Sequence, residues 1–529
     1  MADIEKKKLA VKLLLERNIV VSPDAVDTIA GNIEKFEELI KGKINSEEFL
    51  YINEDVVNVL TKREKLDANW QEFEKSRAVF EKQKNGAAYK QMVEFIKTEG
   101  QNQNEKNILY PEVNVLFSYK EEPKKIDIQD FVSYFNERYK TMQKMLSGRP
   151  ELTNIMSITR ILAKKEHDTI SFIGIVSDKQ LTKNQNIVLS LEDETGIIKA
   201  IVNKTKPELY EAAKDVVLDE VIGICGVNAD KVVFVNSIVW PEIPRDKILK
   251  KAEDECYAVF LSDIHVGSRY FLPEELEKFL RWINCELEDP KQREIAAKVK
   301  YIFIVGDLVD GVGIYPGQEK ELTIHDIFKQ YEECARYLKQ IPPHIQIIIC
   351  AGNHDAGRIS EPQQELYKDF AKAIWALPNI TMVSNPALVN IHSNPNFKGF
   401  DVLIYHGYSF DYYVDQVDSI RNNGGYNKPD LIMKFLLKRR HLAPTHSSTL
   451  YMPDPKRDCL IINRIPDFFV TGHIHKSSVS HYRNVTMICG SCWQSKTQFQ
   501  EKMGHKPEPC RVPIVNLQTR AVKILKFGD

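Results

Sequence analysis

The chain has 529 residues, of which 43% are hydrophobic and 28% are charged, and its formal net charge is −2. A chain of this length is expected to form several domains, because single hydrophobic cores stop growing at roughly 250–300 residues. The near-neutral net charge excludes a strongly basic or acidic protein, although a locally basic groove is compatible with it. No apolar run approaches the roughly 18 residues of a membrane-spanning helix, so we expect no membrane partner.

The nine cysteines are scattered and odd in number, which argues against a disulfide framework. The first fifteen residues contain several charged side chains and do not have the apolar stretch of a secretory signal peptide. These two features predict a reducing, cytoplasmic compartment.

Residues 1–65 are predicted to form a small helical module. Ser22 is suited to an N-cap, and Pro23 follows it at the first helical position. Apolar residues then recur at spacings of three and four, which indicates an amphipathic helix: Val26, Ile29, Ile33, Phe36 and Ile40. The module is either a packed helical unit or a docking module for a partner protein. Residues 66–125 are rich in Lys, Glu, Gln and Asn, which predicts a flexible linker.

A connecting helix is predicted over residues 126–154, and the apolar period then changes to two. Five short strands are expected between 155 and 245, namely 170–177, 187–191, 197–202, 221–227 and 232–239. A helical segment at 208–215 separates the third strand from the fourth. Five strands with a helix in that place suit an OB-fold β-barrel. Such a barrel either contacts single-stranded nucleic acid or serves as a spacer or subunit contact, and no dense aromatic platform decides between these alternatives.

From residue 250 to 529, apolar strands alternate with helices, which predicts an α/β domain. Strands are expected at 257–261, 301–305, 345–350, 402–405 and 468–470. Each is followed by a cluster of Asp, Asn or His. Because ligands of α/β sheets gather at the carboxyl ends of strands, we expect these clusters to converge.

The polar clusters contain residues suited to metal binding. In chain order they are Asp263-Ile264-His265, Gly306-Asp307 with Asp310, Gly352-Asn353-His354-Asp355, His406-Gly407 and Gly472-His473-Ile474-His475. Residues two apart in a strand point to the same side, so Asp263 and His265 are predicted to hold one ion together. Carboxylate, imidazole and amide donors suit Mn²⁺, Fe²⁺, Zn²⁺ or Mg²⁺.

These clusters, in this order, resemble the D-x-H, G-D-x-x-D, G-N-H-D, H-G and G-H-x-H motifs of the calcineurin-like metallophosphoesterase family. The resemblance implies a sandwich domain with two divalent metal ions, for which Mn²⁺ is the expected metal. It implies Asp263, His265 and His475 as ligands of one ion, Asn353, His406 and His473 as ligands of the other, and Asp307 as the bridge. It also implies that His354 faces the scissile phosphate, that Asp355 orients His354, and that Asp310 has a mostly structural role.

The amino-acid sequence of further segments, together with a barrel ahead of the phosphoesterase, resembles the small subunits of archaeal family D DNA polymerases over roughly residues 125–529. The segments include Leu436–Pro444 and Pro466–Phe468. The resemblance implies a 3′-to-5′ exonuclease that acts on single-stranded or mismatched DNA ends and proofreads for a large polymerising subunit. A heterodimer with that subunit is expected at the nucleoid, and a sliding clamp is a candidate partner.

The predicted fold class is therefore multidomain α+β, with an N-terminal helical module, an OB-fold barrel and a C-terminal metallophosphoesterase sandwich. A basic run at Lys438, Arg439, Arg440 and His441 is a candidate contact to the DNA backbone, or else a solvated helix end. Two further functions compete with the exonuclease. One is a catalytically silent scaffold subunit that retains the ligands, and the other is a stand-alone repair nuclease of the same superfamily.

Overall fold

A computed structural model describes residues 111–120, 125–165, 167–502 and 504–528, with residues 7, 11, 19–21, 26, 29 and 50–52 before them. The chain divides into two compact units, Met1–Asn107 and Ile108–Asp529. In the first unit, strand β1 (Ile19–Val21) pairs in parallel with β2 (Leu50–Ile52). Val26 and Ile29 are helical, and Ile29 is buried. The other residues of the predicted amphipathic stripe lie outside the described residues.

The second unit begins with strand β3 (Val113–Ser118) and helix α1 (Ile128–Ser147). Asp127 caps α1 by accepting a hydrogen bond from the main-chain N–H of Asp130, whose carboxylate accepts in return from the Asp127 N–H. The sequence predicts a connecting helix over residues 126–154, and α1 accounts for most of that range. It touches two cores, because Met142 and Leu146 pack on the barrel and Tyr134 packs in the phosphoesterase domain.

A closed barrel of five strands follows α1. Its elements are α2 (Ile158–Ala163), β4 (Thr169–Leu181), β5 (Ile187–Asp193), β6 (Gly196–Val202), α3 (Pro207–Lys214), β7 (Val221–Ala229) and β8 (Val232–Val239). The strands close in the order β4-β5-β6-β8-β7. Only β6 and β8 pair in parallel within the barrel. The five strands and the helix between the third and fourth strands are those predicted from the sequence.

The rest of the chain forms two mixed sheets with helices outside them. The elements are β9 (Tyr257–Leu261), α4 (Pro273–Ile283), α5 (Pro290–Ala297), β10 (Val299–Val305), α6 (Ile327–Leu338), β11 (Gln346–Cys350), α7 (Lys372–Trp375), β12 (Ile380–Met382), β13 (Ala387–Ile391), β14 (Phe400–Ile404), α8 (Phe410–Gln416), α9 (Asp418–Arg421), α10 (Pro429–Arg439), β15 (Phe468–Thr471), β16 (Ser478–Tyr482), β17 (Val485–Cys489), α11 (Gln498–Lys502), β18 (Arg511–Asn516) and β19 (Val522–Lys526). Short 3₁₀ turns lie at Gln318–Lys320, Gly425–Asn427 and His446–Ser448.

The two sheets pack face to face as a sandwich. One has the order β12-β11-β10-β9-β18-β19, and the other has the order β16-β17-β15-β14-β13-β3. Side chains from both inner faces, among them Phe260, Phe303, Val402 and Phe468, form the central core. A second core lies between the first sheet and α4 to α7, and a third lies between the second sheet and α8 to α10. The four layers are therefore helix, sheet, sheet and helix.

Strand β3 differs from the prediction for its part of the chain. The composition of residues 66–125 predicts a linker, yet β3 pairs antiparallel with β13 at the edge of the second sheet. The pairing holds because β13 otherwise presents unpaired main-chain groups at a sheet edge. Residues 66–110 lie outside the described residues. Across the described part of the chain, no helix is long and apolar enough to cross a membrane.

Candidate metal centre

The polar clusters meet at one edge of the sandwich, where five strands end. Asp263 and His265 follow β9, Asp307 follows β10, Asn353 and His354 follow β11, His406 follows β14, and His473 and His475 follow β15. Strands β9, β10 and β11 are parallel neighbours in one sheet, and β14 and β15 are parallel neighbours in the other. Parallel strands end on the same edge, so residues far apart in sequence come together.

Several candidate ligands have left-handed backbone conformations. The φ angles are 51° at Asp263, 55° at His265, 52° at Asp307, 66° at His473 and 57° at His475. Non-glycine residues rarely adopt this conformation, and it concentrates at functional sites. The prediction that Asp263 and His265 share one side of a strand is therefore wrong, since both residues follow the end of β9. They lie close together because the chain turns sharply after β9.

Two glycines allow the close approach of these segments. A Cβ atom on Gly352 would lie 2.2 Å from Oδ1 of Asp307, and one on Gly306 would lie 2.4 Å from Nδ1 of His406. Gly306 also has a φ of +81°. A side chain at either position would push a candidate ligand out of place.

Asp263, His265 and His475 form one group of candidate ligands. Nε2 of His265 lies 3.2 Å from Nε2 of His475, which in turn lies 3.4 Å from Oδ1 of Asp263. All three side chains are buried. Nδ1 of His265 lies 3.1 Å from Oδ1 of Asp310, and the side-chain amide of Gln500 lies 2.8 Å from Nδ1 of His475. Each imidazole is therefore held through Nδ1 and turns Nε2 toward the group.

Asp307, Asn353, His406 and His473 form a second group. Nε2 of His406 lies 3.0 Å from Oδ1 of Asn353 and 3.3 Å from Oδ2 of Asp307. Nε2 of His473 is held at 3.0 Å by Asp411, which leaves Nδ1 for the group. The same Oδ2 of Asp307 lies 3.8 Å from Nε2 of His265, so Asp307 stands between the two groups.

The electrostatics of this cluster favour a positive charge. The carbonyl oxygen of Val305 can only accept, so its 2.8 Å contact places a proton on Nδ1 of His406 and aims Nε2 at Asp307 and Asn353. Burial opposes a charged His406, but attraction to Asp307 raises the pKa of His406 to about 10. Burial likewise opposes a charged Asp307, yet the neighbouring histidines His406 and His354 lower its pKa well below the usual value. A proton or a metal ion at this point compensates the buried carboxylates.

The donor set fits divalent metal ions. Carboxylate and amide oxygens combined with imidazole nitrogens suit Mn²⁺, Fe²⁺, Zn²⁺ and Mg²⁺. At this centre, three sets of ligand atoms each lie within 4.8 Å of one another, and they are drawn from Asp263, His265, Asp307, His354, His406, His473 and His475. Among the described residues that line the cavity, none is a lysine or an arginine. The buried acids therefore have no permanent side-chain cation beside them.

His354 lies beside the ligand groups, but Asp355 does not orient it. Nδ1 of His354 lies 2.8 Å from the main-chain carbonyl oxygen of Asp310, and its ring centroid lies 4.8 Å from that of His265. The carboxylate of Asp355 turns away and accepts hydrogen bonds from the Gly352 N–H and the Tyr331 hydroxyl. Burial and repulsion from Asp307 raise the pKa of Asp355 to about 7. The prediction that Asp355 positions His354 is wrong, because a main-chain carbonyl already occupies Nδ1.

The centre opens into a cavity of about 350 Å³. Its lining includes residues that the sequence analysis did not single out, namely Tyr315, Tyr408, Asp411, Gln494, Thr497, Gln500 and His505. Asp310, predicted to be mostly structural, contacts His265 and accepts a hydrogen bond from Gln494. Gln494 and Gln500 follow β17 and carry no motif signal, since their placement depends on the chain returning to the site after the last motif.

The basic run is buried at the contact between the barrel and the phosphoesterase domain. Nε of Arg439 lies 2.6 Å from the carboxylate of the barrel residue Glu220. Arg440 donates to the carbonyl oxygens of Ile462 and Asn463 at 2.7 Å each. His441 contacts Asp458 at 2.8 Å, and Nζ of Lys438 lies 3.9 Å from the ring centre of Trp240.

The predicted contact of this run with DNA is therefore not supported. The side chains of Arg439, Arg440 and His441 are buried, and their polar groups already have protein partners. Leaving those partners for a phosphate would abandon a buried carboxylate, which is strongly unfavourable. Lys438 and Arg439 instead contact the barrel, whereas Arg440 and His441 contact other segments of the phosphoesterase domain.

Comparisons with known proteins agree with this architecture. Residues 258–477 match the calcineurin-like phosphoesterase family. The chain is 39% identical to the DNA polymerase II small subunit of Methanothermobacter thermautotrophicus, over 76% of this chain and 80% of that protein. It is 41% identical to the DNA polymerase II small subunit of Methanocaldococcus jannaschii, over 74% of this chain and 64% of that protein. These matches confirm the resemblance inferred from the motifs, and the chain belongs to the archaeal DNA polymerase II small subunit family, with a calcineurin-like phosphoesterase domain.

Proposed function

We propose that this chain is a metal-dependent 3′-to-5′ exodeoxyribonuclease that removes single-stranded or mismatched DNA ends for a large polymerising subunit. The observation that carries the proposal is the convergence of seven candidate ligands and His354 at one edge of the sandwich, where five of the ligands line an open cavity: His265, Asp307, Asn353, His473 and His475. A subunit that served only as a scaffold would not need these donors to face a cavity without protein cations. Family membership supports the substrate class and the partner.

In this proposal two ions occupy the two ligand groups. Asp263, His265 and His475 would hold one ion, Asn353, His406 and His473 would hold the other, and Asp307 would touch both. When bound, two divalent cations activate water at neutral pH and neutralise the charge of a phosphate. Mn²⁺ is the expected metal, and Mg²⁺, Fe²⁺ and Zn²⁺ are compatible with the same donors.

His354 is the proposed proton donor to the leaving 3′ oxygen. Its Nδ1 is held by the Asp310 carbonyl, which fixes the ring and leaves Nε2 as the nitrogen that can meet the substrate. Histidine is the side chain that most often serves as a general acid or base in enzymes, which suits it to this step. Asp310 has a second task, since its carboxylate holds His265 in the orientation that turns Nε2 toward the metal group.

The barrel supports the assignment of a polymerase accessory subunit. Its strand order, the parallel pairing of β6 with β8 and the helix α3 between the third and fourth strands are features of an OB-fold. We propose that the barrel and the N-terminal module serve contacts with the large subunit, DNA or a sliding clamp. The buried contact through Arg439 and Glu220 would hold the barrel at a fixed orientation to the nuclease.

The test is digestion of a 3′-labelled, mismatched primer by the full chain with Mn²⁺. Wild type should shorten the primer from its 3′ end, and Asp307→Asn should not. The exposed Asp369→Asn, which makes the same chemical change away from the centre, is the matched control. Equal digestion by wild type and Asp307→Asn would assign the activity to another protein and leave this chain as a scaffold. Full activity on DNA with no stable large partner would favour a stand-alone repair nuclease.

A further inference from the structure

A second cavity, of about 780 Å³, adjoins the metal-centre cavity. Both cavities are lined by Tyr408 and Asp411, so the two spaces meet at these side chains. The second cavity, named the aromatic groove here, is further lined by Phe131, Tyr412, His446 and Leu450. The motifs and the proposed chemistry use none of these last four residues.

We propose that the aromatic groove binds the bases of the single DNA strand that flanks the phosphodiester at the metal centre. This inference rests on the proposed nuclease function. The groove residues would make the nuclease prefer a strand of several nucleotides to a short diester. The metal-centre cavity has less than half the volume of the groove, which suits one reacting group better than a chain of nucleotides. A longer substrate must therefore continue into a neighbouring space.

The chemistry of the lining favours bases. Phe131, Tyr412 and His446 are partly or fully exposed ring systems, and bases stack on aromatic side chains with little sequence preference. Leu450 is 60% exposed, and Ser360 and Ser447 add hydroxyl groups that can bond base edges. A surface of rings and hydroxyls matches bases better than phosphates, which basic side chains usually bind.

The walls of the groove are held in place before any ligand arrives. The main-chain N–H of Glu361 donates to the Leu450 carbonyl at 2.7 Å, and that of Met452 donates to Glu361 at 2.9 Å. The His446 N–H donates to the carboxylate of Asp219 in the barrel at 2.9 Å, and the His446 ring lies edge-on to Tyr451 at 4.7 Å. A preformed site avoids the loss of conformational freedom that binding otherwise entails.

The continuity with the metal centre favours DNA over a partner protein as occupant. Tyr408 comes two residues after the candidate ligand His406, and its ring lies 5.8 Å from that of His473. Asp411 holds His473 through a 3.0 Å contact. A ligand in the groove would therefore touch side chains that also border the reaction site. A nucleotide next to the reacting phosphodiester must make such contacts, whereas a docked protein need not.

The test measures binding and hydrolysis of oligodeoxynucleotides of two to eight residues by the full chain, beside bis(p-nitrophenyl) phosphate as a short diester. For wild type, affinity and kcat/KM should rise with length. Tyr412→Ala and His446→Ala should each weaken the octamer about tenfold or more, since base stacking is lost, and should change bis(p-nitrophenyl) phosphate hydrolysis less than twofold. Phe328→Ala removes an exposed ring on α6 outside the groove and is the matched control.

The outcomes separate this inference from the nuclease proposal. Length-dependent binding that Tyr412→Ala abolishes, without any DNA hydrolysis by wild type, would uphold the groove and remove the nuclease function. Unchanged octamer binding in both variants would overturn the groove. Loss of a co-purifying large subunit in the variants, with octamer binding intact, would also overturn it and assign the surface to a protein partner.

Discussion

Two regions of the described structure bury aspartate beside histidine: the metal centre, and the contact between the barrel and the phosphoesterase domain. At the contact, Nε of Arg138 lies 2.7 Å from the carboxylate of Asp458, which also accepts from Nε2 of His441 at 2.8 Å. At the metal centre, Asp263 and Asp307 are also buried, but the described side chains that contact their carboxylates are histidines and Ser262, with no lysine or arginine among them.

The difference shows how the same residue types serve two purposes. At the contact, Asp458 and Glu220 each have an arginine as a permanent opposite charge, and the Ala443 N–H fixes the tautomer of His441, so the cluster is closed. Burial opposes a charged Asp458, but Arg138 and His441 lower its pKa. At the metal centre, each candidate histidine ligand is held through one nitrogen, and His265, His406 and His475 turn the other nitrogen toward neighbouring candidate ligands. An incomplete cluster of this kind binds ions, whereas a complete one holds domains together.

The largest expected effect is on catalysis. Asp307→Asn should lower phosphodiester hydrolysis about 10³-fold or more, because it weakens both metal groups at once. The free energy of unfolding of the metal-free protein should fall only modestly, because the Asp307 carboxylate is compensated by protonated histidines, which can become neutral once it is removed. Elemental analysis and urea unfolding in EDTA would measure the two effects. Strong destabilisation of the metal-free protein would show that Asp307 is structural, like Asp458.

Arg138→Met should lower stability strongly and affect hydrolysis little, which is the opposite of the effect expected for Asp307→Asn. It leaves the carboxylate of Asp458 buried without its cation, so the free energy of unfolding should fall by about 3–5 kcal/mol. The hydrolysis rate per folded, metal-loaded molecule should stay near that of wild type. Arg336→Met breaks an exposed ion pair with Glu333 and should change stability by no more than about 0.5 kcal/mol. Equal effects of the two substitutions would contradict the closed-cluster account.

His354→Asn should separate metal binding from proton transfer. We expect kcat to fall about 10²–10³-fold while both ions stay bound, because general acid catalysis by a positioned histidine contributes about that much. Mn²⁺ titration followed by calorimetry would measure the retained sites. Loss of one ion in this variant would make His354 a metal ligand instead of the proton donor.

Glu361 represents a third solution for a buried acid, since a hydroxyl group contacts its carboxylate instead of an arginine. Burial raises the pKa of Glu361 to about 7, against an ordinary value of 4.5, and the Tyr405 hydroxyl lies 3.0 Å from its carboxylate. Below pH 4.5 the folded and unfolded states are both protonated. Between pH 4.5 and 7 the unfolded state loses the proton first, so the free energy of unfolding falls. Above pH 7 the folded state has also lost the proton, and this contribution falls no further.

Glu361→Gln should remove this pH dependence. The difference in free energy of unfolding between the variant and wild type should be about 2 kcal/mol larger at pH 8 than at pH 5, in favour of the variant. Each unit of pKa shift corresponds to about 1.4 kcal/mol. Urea unfolding at the two pH values measures the difference. An identical pH dependence in both proteins would mean that Glu361 is ionised in the folded state.

Prediction from sequence succeeded where the pattern is local. The five strand-ending clusters, the strands before them and the barrel with its helix follow from apolar periods and from motifs within a few residues. It failed where a partner comes from elsewhere in the chain. Asp355 lies next to His354, yet the ring is held by the Asp310 carbonyl. The basic run was expected at the surface, yet Glu220 and Asp458, from other segments, bury it.

By itself, the sequence determined the candidate ligands, the family and the order of the described domains, since these depend on residue identity and on short-range spacing. Only the tertiary structure decided which nitrogen of each histidine faces the other candidate ligands, which charges are already paired and which aromatic side chains border the metal centre. The physical reason is that hydrogen bonds and burial depend on distances between segments separated by tens to hundreds of residues, such as β3 with β13 or Arg138 with Asp458. No spacing rule along the chain encodes those distances.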